Sequence, residues 1–336
     1  MIRFGIAGFG LHAGKRLMPG FALAQNCKVV ALARRDPVKA SEASRQYNIP
    51  HIFRSTEDLA RRPEVDAVFV ASPNVCHLSD VLACVSAGKP VLCEKPMAMN
   101  AGECRQMIEA AGAGGVLLGV AQVFRFEEST AAFRRQIAEG DIGQPVLARA
   151  EFSFSPTAHA RTWLYDRATA GGGPIADVGV HCIDALRFVL QDEVVRIGAL
   201  THADERSGDV EAAASLTLEF RRGTLAAVLV SVRAQYRTPF EIVGDRGVLR
   251  ADDALNVERP IRIELQREGQ VVSEETVSNH LAYAKQVDAF AAALEGGEAF
   301  PCPGEEGWKN QLCLDAAYRS ITSGRMEEVV GGESIV

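Results

Sequence analysis

The sequence predicts an α/β protein with an N-terminal doubly wound parallel sheet and a C-terminal α/β domain built on an open, mainly antiparallel sheet. Three observations predict this. Apolar strands alternate with helical patterns up to about residue 122, a glycine-rich turn follows the first strand, and short strands then follow one another with turn signals between them. For a chain of 336 residues we expect two domains, 1–122 and 123–336.

Composition narrows the function classes. The net charge is -7 and no lysine-rich run occurs, which argues against a nucleic-acid partner. The longest uncharged run, 110–124, has 15 residues and is too short to span a bilayer, so we expect no membrane association. The eight cysteines are scattered without a CxxC pair, and no metal-ligand spacing appears. We therefore expect a reduced, cytoplasmic protein without a metal.

The first strand and its turn point to a nucleotide. "IRFGIAG" reads as a buried strand, and a GxGxxA turn from Gly8 to Ala13 leads into a helix. Gly8 permits the tight turn, Gly10 lets backbone approach a pyrophosphate, and Ala13 allows close helix–strand packing. Phosphates would lie at the helix N-terminus. The alternative is a tight turn without a ligand, but the strand–turn–helix–strand context favours a dinucleotide-binding Rossmann domain.

The end of the second strand, "KVVALAR", bears on the choice of dinucleotide. NAD sites usually carry an acid here, whereas this chain has Arg34 and Arg35, followed by Asp36. A guanidinium matches a 2′-phosphate and stacks on adenine, so the sequence favours NADP over NAD. In the alternative, the arginines are merely exposed and Asp36 takes the role of the acid.

The alternation continues with apolar strands at 66–72, 90–95 and 115–122, which predicts a parallel sheet. Ligands bind beyond the carboxyl ends of such strands. The segments "SPN" and "EKP" lie at two of these ends, which places Asn74 and Lys95 near a cofactor.

After about residue 122 the sequence no longer alternates regularly between strands and helices. A strand at 145–155 precedes a loop and helix at 171–190, after which the segments 212–220, 223–232 and 240–252 read as consecutive antiparallel strands with one covered face. Two helices, 282–297 and 304–324, each end in glycine and close the chain.

The stretch "GGGPIADVGVHCIDALRF" carries the main catalytic candidates. On a helix, Asp177, His181 and Asp184 share one face, and a carboxylate beside an imidazole favours its charged form. Such a pair can take a proton from an alcohol while hydride leaves the carbon. The alternative is a polar stripe facing water. The three glycines, 171–173, are costly in entropy, and we interpret them as space for a bulky group such as a nicotinamide. Asp184 lies a turn deeper and reads as a structural partner.

Lys95 is the second candidate. It follows an apolar strand and precedes Pro96, which favours extended backbone at the lysine. A cation at a strand end in a cleft can hold or polarise a substrate oxygen. In the alternative it is a surface lysine.

Taken together, "AGFGLHA", "SPNVCH", "AGKPVLCEKP" and "GGGPIADVGVHCIDALRF" occur in the order typical of one family. The sequence resembles the glucose–fructose oxidoreductase / inositol dehydrogenase (Gfo/Idh/MocA) family over nearly its whole length. The resemblance implies NAD(P)-dependent oxidation or reduction of a hydroxyl or carbonyl, typically on a sugar or cyclitol. It also implies a homodimer or homotetramer formed through the exposed face of the second sheet.

Carried onto this chain, the resemblance makes Lys95, Asp177 and His181 the catalytic residues. His181 would donate or accept the proton, Asp177 would bind substrate and tune the histidine, and Lys95 would orient the reacting oxygen. The expected cofactor contacts are Gly8, Phe9, Gly10, Leu11, Arg34, Arg35, Ser72, Pro73, Asn74, His77, Glu94, Lys95 and Gln122. The expected substrate contacts are Arg125, Arg161 and Trp163.

Departures from the family pattern leave alternatives open. Arg34 stands where the family often has Asp, and "VAQVFRF" replaces a more polar segment, which predicts a less sugar-like pocket. In "ARTWLYD", Arg161 precedes Trp163 by two residues, whereas relatives often have Trp-Arg. A non-catalytic NAD(P)-sensing regulator and an NAD-dependent glycosidase of the same family are the rival functions.

Overall fold

The structure, a computed structural model, describes residues 1–155 and 162–330. Within these residues the strands form two sheets, one of six strands and one of nine. The chain divides into two compact units. The first contains Met1–Val123 and Tyr283–Trp308, and the second contains Phe124–Ala282 and the described residues from Lys309 onward.

The first unit is built on the parallel sheet that the sequence predicts. Its elements are β1 (Ile2–Ala7), α1 (Met18–Leu23), β2 (Cys27–Ala33), α2 (Pro37–Tyr47), β3 (His51–Phe53), α3 (Thr56–Ala60), β4 (Ala67–Val70), α4 (His77–Ser86), β5 (Val91–Cys93), α5 (Ala101–Gly114) and β6 (Leu118–Val120). The strand order is β3-β2-β1-β4-β5-β6, and every neighbouring pair is parallel. The order reverses between β1 and β4, and ligands bind beside such a reversal in open α/β sheets.

Local signals explain where the helices of this unit begin. Asp36 caps α2, accepting from the N–H groups of Val38 and Lys39, and Asn100 caps α5 in the same way. The helix after the first turn instead contains a π-helical turn, Ala13–Leu17, ahead of α1. Pro19 lies in the first turn of α1 and has no N–H, so a regular ladder cannot run through it, and the wider turn accommodates the ring.

The second unit is built on the other sheet. Its elements are α6 (Glu128–Ala138), β7 (Pro145–Ser153), α7 (Arg167–Ala170), α8 (Val180–Leu190), β8 (Val194–His202), β9 (Ala213–Phe220), β10 (Leu225–Ser231), β11 (Phe240–Gly244), β12 (Val248–Ala251), β13 (Pro260–Arg267) and β14 (Gln270–Ser278). β7 and β10 pair in parallel and the other neighbours are antiparallel, in the order β14-β13-β12-β11-β7-β10-β9-β8. Burial alternates along β9, β10 and β13, so one face of the sheet is covered.

The end of the chain contributes to both units. α9 (Ala282–Leu294) belongs almost entirely to the first unit, where Phe290 packs on Phe4 with ring centroids 6.0 Å apart. α10 (Gly304–Ser323) and β15 (Glu327–Glu328) complete the chain, and β15 extends the second sheet beside β8. The sequence predicted a single domain boundary, after residue 122. In the structure, the segment 283–308 near the end of the chain also belongs to the first compact unit.

Candidate functional site

The glycine turn after β1 is shaped by two different requirements. Gly8 has φ +76°, and a Cβ there would lie 2.4 Å from the backbone of Ser72, so only glycine fits against the loop after β4. Gly10 has open space instead, because a Cβ there would have only the Gly8 carbonyl within 4 Å, at 3.7 Å. Helical backbone begins at Leu11, and its first N–H groups lack intrahelical acceptors. This is the cradle that a pyrophosphate requires.

Phe9, between these glycines, anchors the turn to the core of the first unit. Its side chain is buried and its ring packs against Tyr47 of α2 at 5.8 Å, so only its backbone faces the turn. Its N–H donates to the Ala33 carbonyl at the end of β2.

The end of β2 presents positive charge. Arg34 is half-buried and Arg35 is exposed, and neither forms a salt bridge within residues 1–155 and 162–330. The carboxylate of Asp36 already accepts the N–H groups of Val38 and Lys39 at 3.0 and 3.1 Å. Its use as a helix cap disfavours the alternative in which Asp36 replaces the ribose-binding acid.

The loops after β4 and β5 are tied together by His77. Its Nε2 lies 2.9 Å from the Ser72 carbonyl oxygen and its Nδ1 lies 3.0 Å from that of Pro96. His77 is 1% exposed, and burial lowers the pKa of its imidazole against the opposing effect of the carbonyl acceptors. A neutral imidazole carries one N–H, so it donates to one of these two carbonyl oxygens, one of which lies in each loop. The direct cofactor contact expected from the sequence stays a prediction.

The rest of the first loop is also held in place. The Ser72 hydroxyl donates to Asp80 at 2.6 Å, Pro73 precedes a short 3₁₀ turn, and Asn74 is 5% exposed at the start of that turn. The predicted cofactor residues of this loop thus lie at the carboxyl end of β4, in a segment fixed by a side-chain hydrogen bond and a 3₁₀ turn.

Glu94 and Lys95 follow β5. Lys95 is half-buried, and its peptide bond to Pro96 is cis. Glu94 is 8% exposed. Its Oε1 lies 2.9 Å from Nε2 of His12, and its Oε2 accepts the Lys95 N–H. Burial raises the pKa of the Glu94 carboxyl, but His12 and Lys95 outweigh it, so the pKa lies below its ordinary value. Sequence reasoning missed His12, because its partner lies far away along the chain.

Gln122 lies just after β6 and is 1% exposed. Its side-chain oxygen accepts no hydrogen bond from any residue that the structure describes. A buried acceptor of this kind is costly unless something satisfies it, which fits the expected contact with a cofactor amide or hydroxyl.

In the second unit, Asp177 and His181 lie on consecutive turns of one helix, but the first turn is not a regular α-turn. Ile175–Gly179 is π-helical, and α8 begins at Val180. Asp177 is half-buried and His181 is 8% exposed, with its ring 4.4 Å from that of Phe124. The polar stripe facing water is therefore excluded for His181. π-Turns within helices occur frequently at functional sites.

Contacts within the same unit explain the glycines before this helix. A Cβ on Gly172 would lie 1.7 Å from the Tyr318 hydroxyl, and one on Gly173 would lie 2.2 Å from the Glu211 carbonyl oxygen. The Glu211 carboxylate, which is buried, accepts the N–H groups of Gly173 and Ile175. Gly172 and Gly173 thus leave room for the Glu211 and Tyr318 contacts at the helix start, which explains these two glycines without the nicotinamide expected from the sequence.

Arg125, which was expected to contact the substrate, lies in a buried ion pair instead. Its guanidinium is 6% exposed and pairs through two nitrogens with the Asp184 carboxylate, which is completely buried and also accepts from Asn310. We therefore assign Arg125 to the core of this unit rather than to the substrate, and Asp184 is the structural partner that the sequence suggested. Trp163 is half-buried in a 3₁₀ turn, and Arg161 lies outside the described residues.

The structure therefore collects the predicted residues in two groups. In the first unit, the loops after β1, β4 and β5 contact one another and carry most of the cofactor candidates and Lys95, whereas Arg34 and Arg35 follow β2 and Gln122 follows β6. In the second unit, the start of α8 carries Asp177 and His181. No group of three or more metal-ligating side chains occurs in the part of the chain that the structure describes.

Comparison with known proteins assigns the chain. Residues 2–122 match the family model for the oxidoreductase family with an NAD-binding Rossmann fold, and residues 130–250 match that for the GFO/IDH/MocA C-terminal domain. The chain belongs to the Gfo/Idh/MocA family. Its relatives in this family include 1,5-anhydro-D-fructose reductase of Ensifer adhaerens, which is 31% identical across 99% of this chain and 100% of the relative.

Two further relatives extend over nearly the whole chain. D-xylose 1-dehydrogenase (NADP(+)) 2 of Haloferax volcanii is 31% identical, across 97% of this chain and 99% of the relative. The crystal structure of aldose-aldose oxidoreductase from Caulobacter crescentus, complexed with glycerol, superposes with a TM-score of 0.87 at 25% identity, covering 97% of this chain and 99% of that one.

This Gfo/Idh/MocA protein is therefore an NAD(P)-dependent dehydrogenase or reductase that acts on hydroxyl or carbonyl groups. The family, the fold class and the reaction class predicted from the sequence are confirmed. Among the residues that the structure describes, every helix is too short or too polar to span a bilayer.

Proposed function

We propose that this oxidoreductase interconverts CH–OH and C=O on a sugar-like small molecule with NADP(H), and that Lys95, Asp177 and His181 are its catalytic residues. The observation that carries the proposal is the start of α8, where an imidazole and a carboxylate lie on consecutive turns clamped by Glu211. The activities named for its relatives, on anhydrofructose, xylose and aldoses, support a sugar-like substrate.

Each catalytic residue has a distinct task in this proposal. His181 takes the hydroxyl proton during oxidation and returns it during reduction, and Asp177 orients the imidazole and favours its protonated form. Lys95 holds the reacting oxygen and stabilises negative charge on it. The nicotinamide, when bound, supplies or accepts the hydride. Arg161 and Trp163 stay proposed substrate contacts.

The residues of the first unit fit NADP. The open space at Gly10 and the helix start at Leu11 would receive the pyrophosphate. Arg34 and Arg35 would hold the 2′-phosphate, since neither pairs with a carboxylate in the described chain. The remaining expected contacts are Gly8, Phe9, Ser72, Pro73, Asn74, His77, Glu94, Lys95 and Gln122.

Fluorescence titration with NADPH and NADH, followed by turnover assays, tests the proposal. We expect NADPH to bind about 10-fold or more tightly than NADH, and Arg34→Asp to abolish that preference without weakening NADH binding. We expect His181→Ala to lower kcat at least about 100-fold on a panel of aldoses, ketoses and anhydroketoses, with NADPH affinity within about 3-fold of wild type.

The rival functions give different results in the same assays. NADPH binding without turnover of any carbonyl or alcohol in the panel would indicate the sensor. Cleavage of a glycoside without net change in NADP(H) would indicate the glycosidase. Unchanged turnover in His181→Ala would refute the assignment of the proton carrier.

We further propose a cytoplasmic homodimer or homotetramer formed through the uncovered face of the second sheet. Leu147 of β7 and Leu225 of β10 are register partners, and both are about half exposed there. All eight cysteines are free thiols, which supports a reducing compartment. Sedimentation equilibrium should show a dimer or tetramer for wild type and a shift toward monomer for Leu147→Asp; a wild-type monomer would refute the assembly.

A further inference from the structure

The helix that follows the glycine turn has an irregular hydrogen-bond pattern. The N–H of Gly14 donates to the Gly10 carbonyl at 3.1 Å and closes the first helical turn. The stretch Ala13–Leu17 is π-helical, and the N–H of Met18 donates five residues back, to the first carbonyl of that stretch. The hydrogen-bond register therefore shifts by one residue directly behind the N–H groups that would face a pyrophosphate.

This shift takes the usual backbone donors away from the Gly14 carbonyl. In an α-helix the donor would be the N–H of Met18, which donates to Ala13 instead. In a π-helix the donor would be residue 19, which is a proline and has no N–H. The hydroxyl of Tyr47 lies 3.2 Å from the Gly14 carbonyl oxygen and donates to it. A side chain from α2 thus takes the place of the backbone donor.

Tyr47 also contacts the other side of the glycine turn. Its ring packs against that of Phe9, with the centroids 5.8 Å apart and the planes inclined by 49°. Phe9 lies near the start of the turn and Gly14 directly follows its end, so one tyrosine bridges the two. A Cβ on Gly14 would lie 3.0 Å from the Tyr47 hydroxyl oxygen, so the glycine leaves room for this hydrogen bond.

The end of α2 fixes the place from which Tyr47 reaches the turn. Tyr47 is the last residue of this helix, and Asn48 follows it with a left-handed backbone, φ 55°. The N–H groups of Asn48 and Ile49 both donate to the Ser44 carbonyl. The Ser44 hydroxyl in turn donates to the Ile49 carbonyl at 2.7 Å. The helix end is therefore closed by its own hydrogen bonds, which hold the tyrosine independently of any ligand.

We propose that Tyr47 is a positioning residue for the cofactor: its hydroxyl and its ring hold the glycine turn in the shape that receives the pyrophosphate. This inference rests on the proposed cofactor site at Gly10 and Leu11. Without the hydroxyl, the Gly14 carbonyl has to turn toward water or another donor. The N–H groups of residues 11–13 belong to the same helical turn and would move with it, so the pyrophosphate would lose aligned donors.

The expected effect is confined to ligands that contain the pyrophosphate. Arg34 and Arg35, which would hold the 2′-phosphate, lie before the start of α2, whereas Tyr47 lies at the other end of that helix. Removing the hydroxyl should therefore weaken NADPH and NADH alike, since both contain a pyrophosphate. It should spare adenosine 2′-phosphate, which lacks one.

Calorimetric titration of Tyr47→Phe beside wild type tests the proposal. The variant keeps the ring that packs on Phe9 and loses only the hydroxyl. We expect Kd for NADPH and Kd for NADH each to rise about 10-fold, or about 1.4 kcal/mol, which is within the cost of leaving one polar group unpaired. Kd for adenosine 2′-phosphate should stay within about 2-fold of wild type. The thermal midpoint verifies that the variant is folded.

Two further variants serve as controls. Nε2 of Gln46 lies 3.1 Å from the Tyr47 hydroxyl oxygen, so Gln46→Ala removes a second hydrogen bond of that hydroxyl and keeps the one to Gly14. It should leave all three Kd values within about 2-fold of wild type. Pro19→Ala supplies an N–H that can donate to the Gly14 carbonyl, so in this background Tyr47→Phe should raise Kd for NADPH by less than about 3-fold.

The outcomes separate this inference from the function on which it rests. If Tyr47→Phe binds NADPH and NADH as wild type does, or weakens adenosine 2′-phosphate as much as NADPH, the positioning role of Tyr47 is overturned while the oxidoreductase function stands. An undiminished effect of Tyr47→Phe in the Pro19→Ala background would overturn it too, because the hydroxyl would not be replacing a backbone donor. If wild type binds neither NADPH nor NADH, the proposed cofactor site fails and this inference fails with it.

Discussion

Removing the Glu211 carboxylate should destabilise the helix start that carries Asp177. Oε1 of Glu211 lies 3.0 Å from three donors: the N–H groups of Gly173 and Ile175 and the hydroxyl of Tyr318. Burial and the Glu211 carboxylate raise the pKa of Tyr318 well above its ordinary value, so its hydroxyl stays protonated and donates. A single acceptor thus satisfies three donors around the glycine loop.

The loss of stability can be worked out from the backbone N–H groups that lose their acceptor. Glu211→Ala strands two backbone N–H groups in a buried site at about 1–3 kcal/mol each, so we expect the free energy of unfolding to fall by about 2–6 kcal/mol. Glu211→Gln keeps an oxygen in place but loses the negative charge, which weakens the hydrogen bonds and removes the ion pair with Arg167 at 3.7 Å. Because the Arg167 side chain is half exposed, we expect a total cost of only about 1 kcal/mol.

Urea unfolding can be followed selectively in the second unit. The chain has two tryptophans, Trp163 in the second unit and Trp308 in the first. In a Trp308→Phe background, fluorescence reports on Trp163 alone. We also expect kcat to fall more than NADPH affinity in Glu211→Ala, since Asp177 lies two residues beyond the clamped Ile175.

Two results would refute this reasoning. If Glu211→Ala unfolds within about 1 kcal/mol of the background protein, the stranded N–H groups have found other partners and the clamp is not structural. If Glu211→Gln is as damaging as Glu211→Ala, the charge rather than the acceptor geometry holds the loop.

Three further predictions follow from single contacts. Burial raises the pKa of Glu127 well above its ordinary value, so wild type loses stability as pH rises above about 4.5. Glu127→Gln removes that loss, so the urea midpoint of the variant should exceed that of wild type by an amount that grows from about pH 5 to pH 8. A constant difference between the two midpoints would contradict this prediction. Gly8→Ala should lower the free energy of unfolding by about 2–4 kcal/mol, because the new Cβ overlaps backbone and φ is positive. Gly10→Ala should keep the thermal midpoint of wild type but bind NADPH at least about 10-fold more weakly. Equal thermal midpoints for Gly8→Ala and wild type would show that the turn relaxes. His12→Ala leaves Lys95 alone to oppose burial, so the pKa of Glu94 should rise. The ionised Glu94 of wild type contributes stability above its ordinary pKa that is lost as pH falls, so the stability deficit of the variant should be larger at about pH 7 than at about pH 4, and an equal deficit at both would contradict it.

Much of the first unit was predictable because its signals are local. The turn from Gly8 to Ala13, the position of Arg34 after β2 and the strand ends before Ser72 and Glu94 all depend on residues close together in the chain. Parallel strands buried on both faces read as continuous apolar runs, which is why β1, β4 and β5 appear near their predicted positions.

The second unit was less predictable. Its edge strand β14 is almost wholly exposed and polar, so it lacks the alternation that identifies a half-buried strand, and it was not predicted. The π-turn at Ile175–Gly179 was also missed, because the i, i+4 spacing of Asp177 and His181 is that of an ordinary helix. No local pattern distinguishes the two.

The sequence by itself determined the family, the reaction class, the parallel sheet with its glycine turn, and the candidates Lys95, Asp177 and His181. Only the tertiary structure decided what holds them in place. The distant partners of Glu94, Asp184 and Glu211 lie 82, up to 126 and up to 107 residues away along the chain, respectively. Sequence patterns report periodicity over a few residues, whereas such contacts depend on which elements pack together, so Arg125 could be read as a substrate contact and the glycines as space for a cofactor until the folded chain supplied their neighbours.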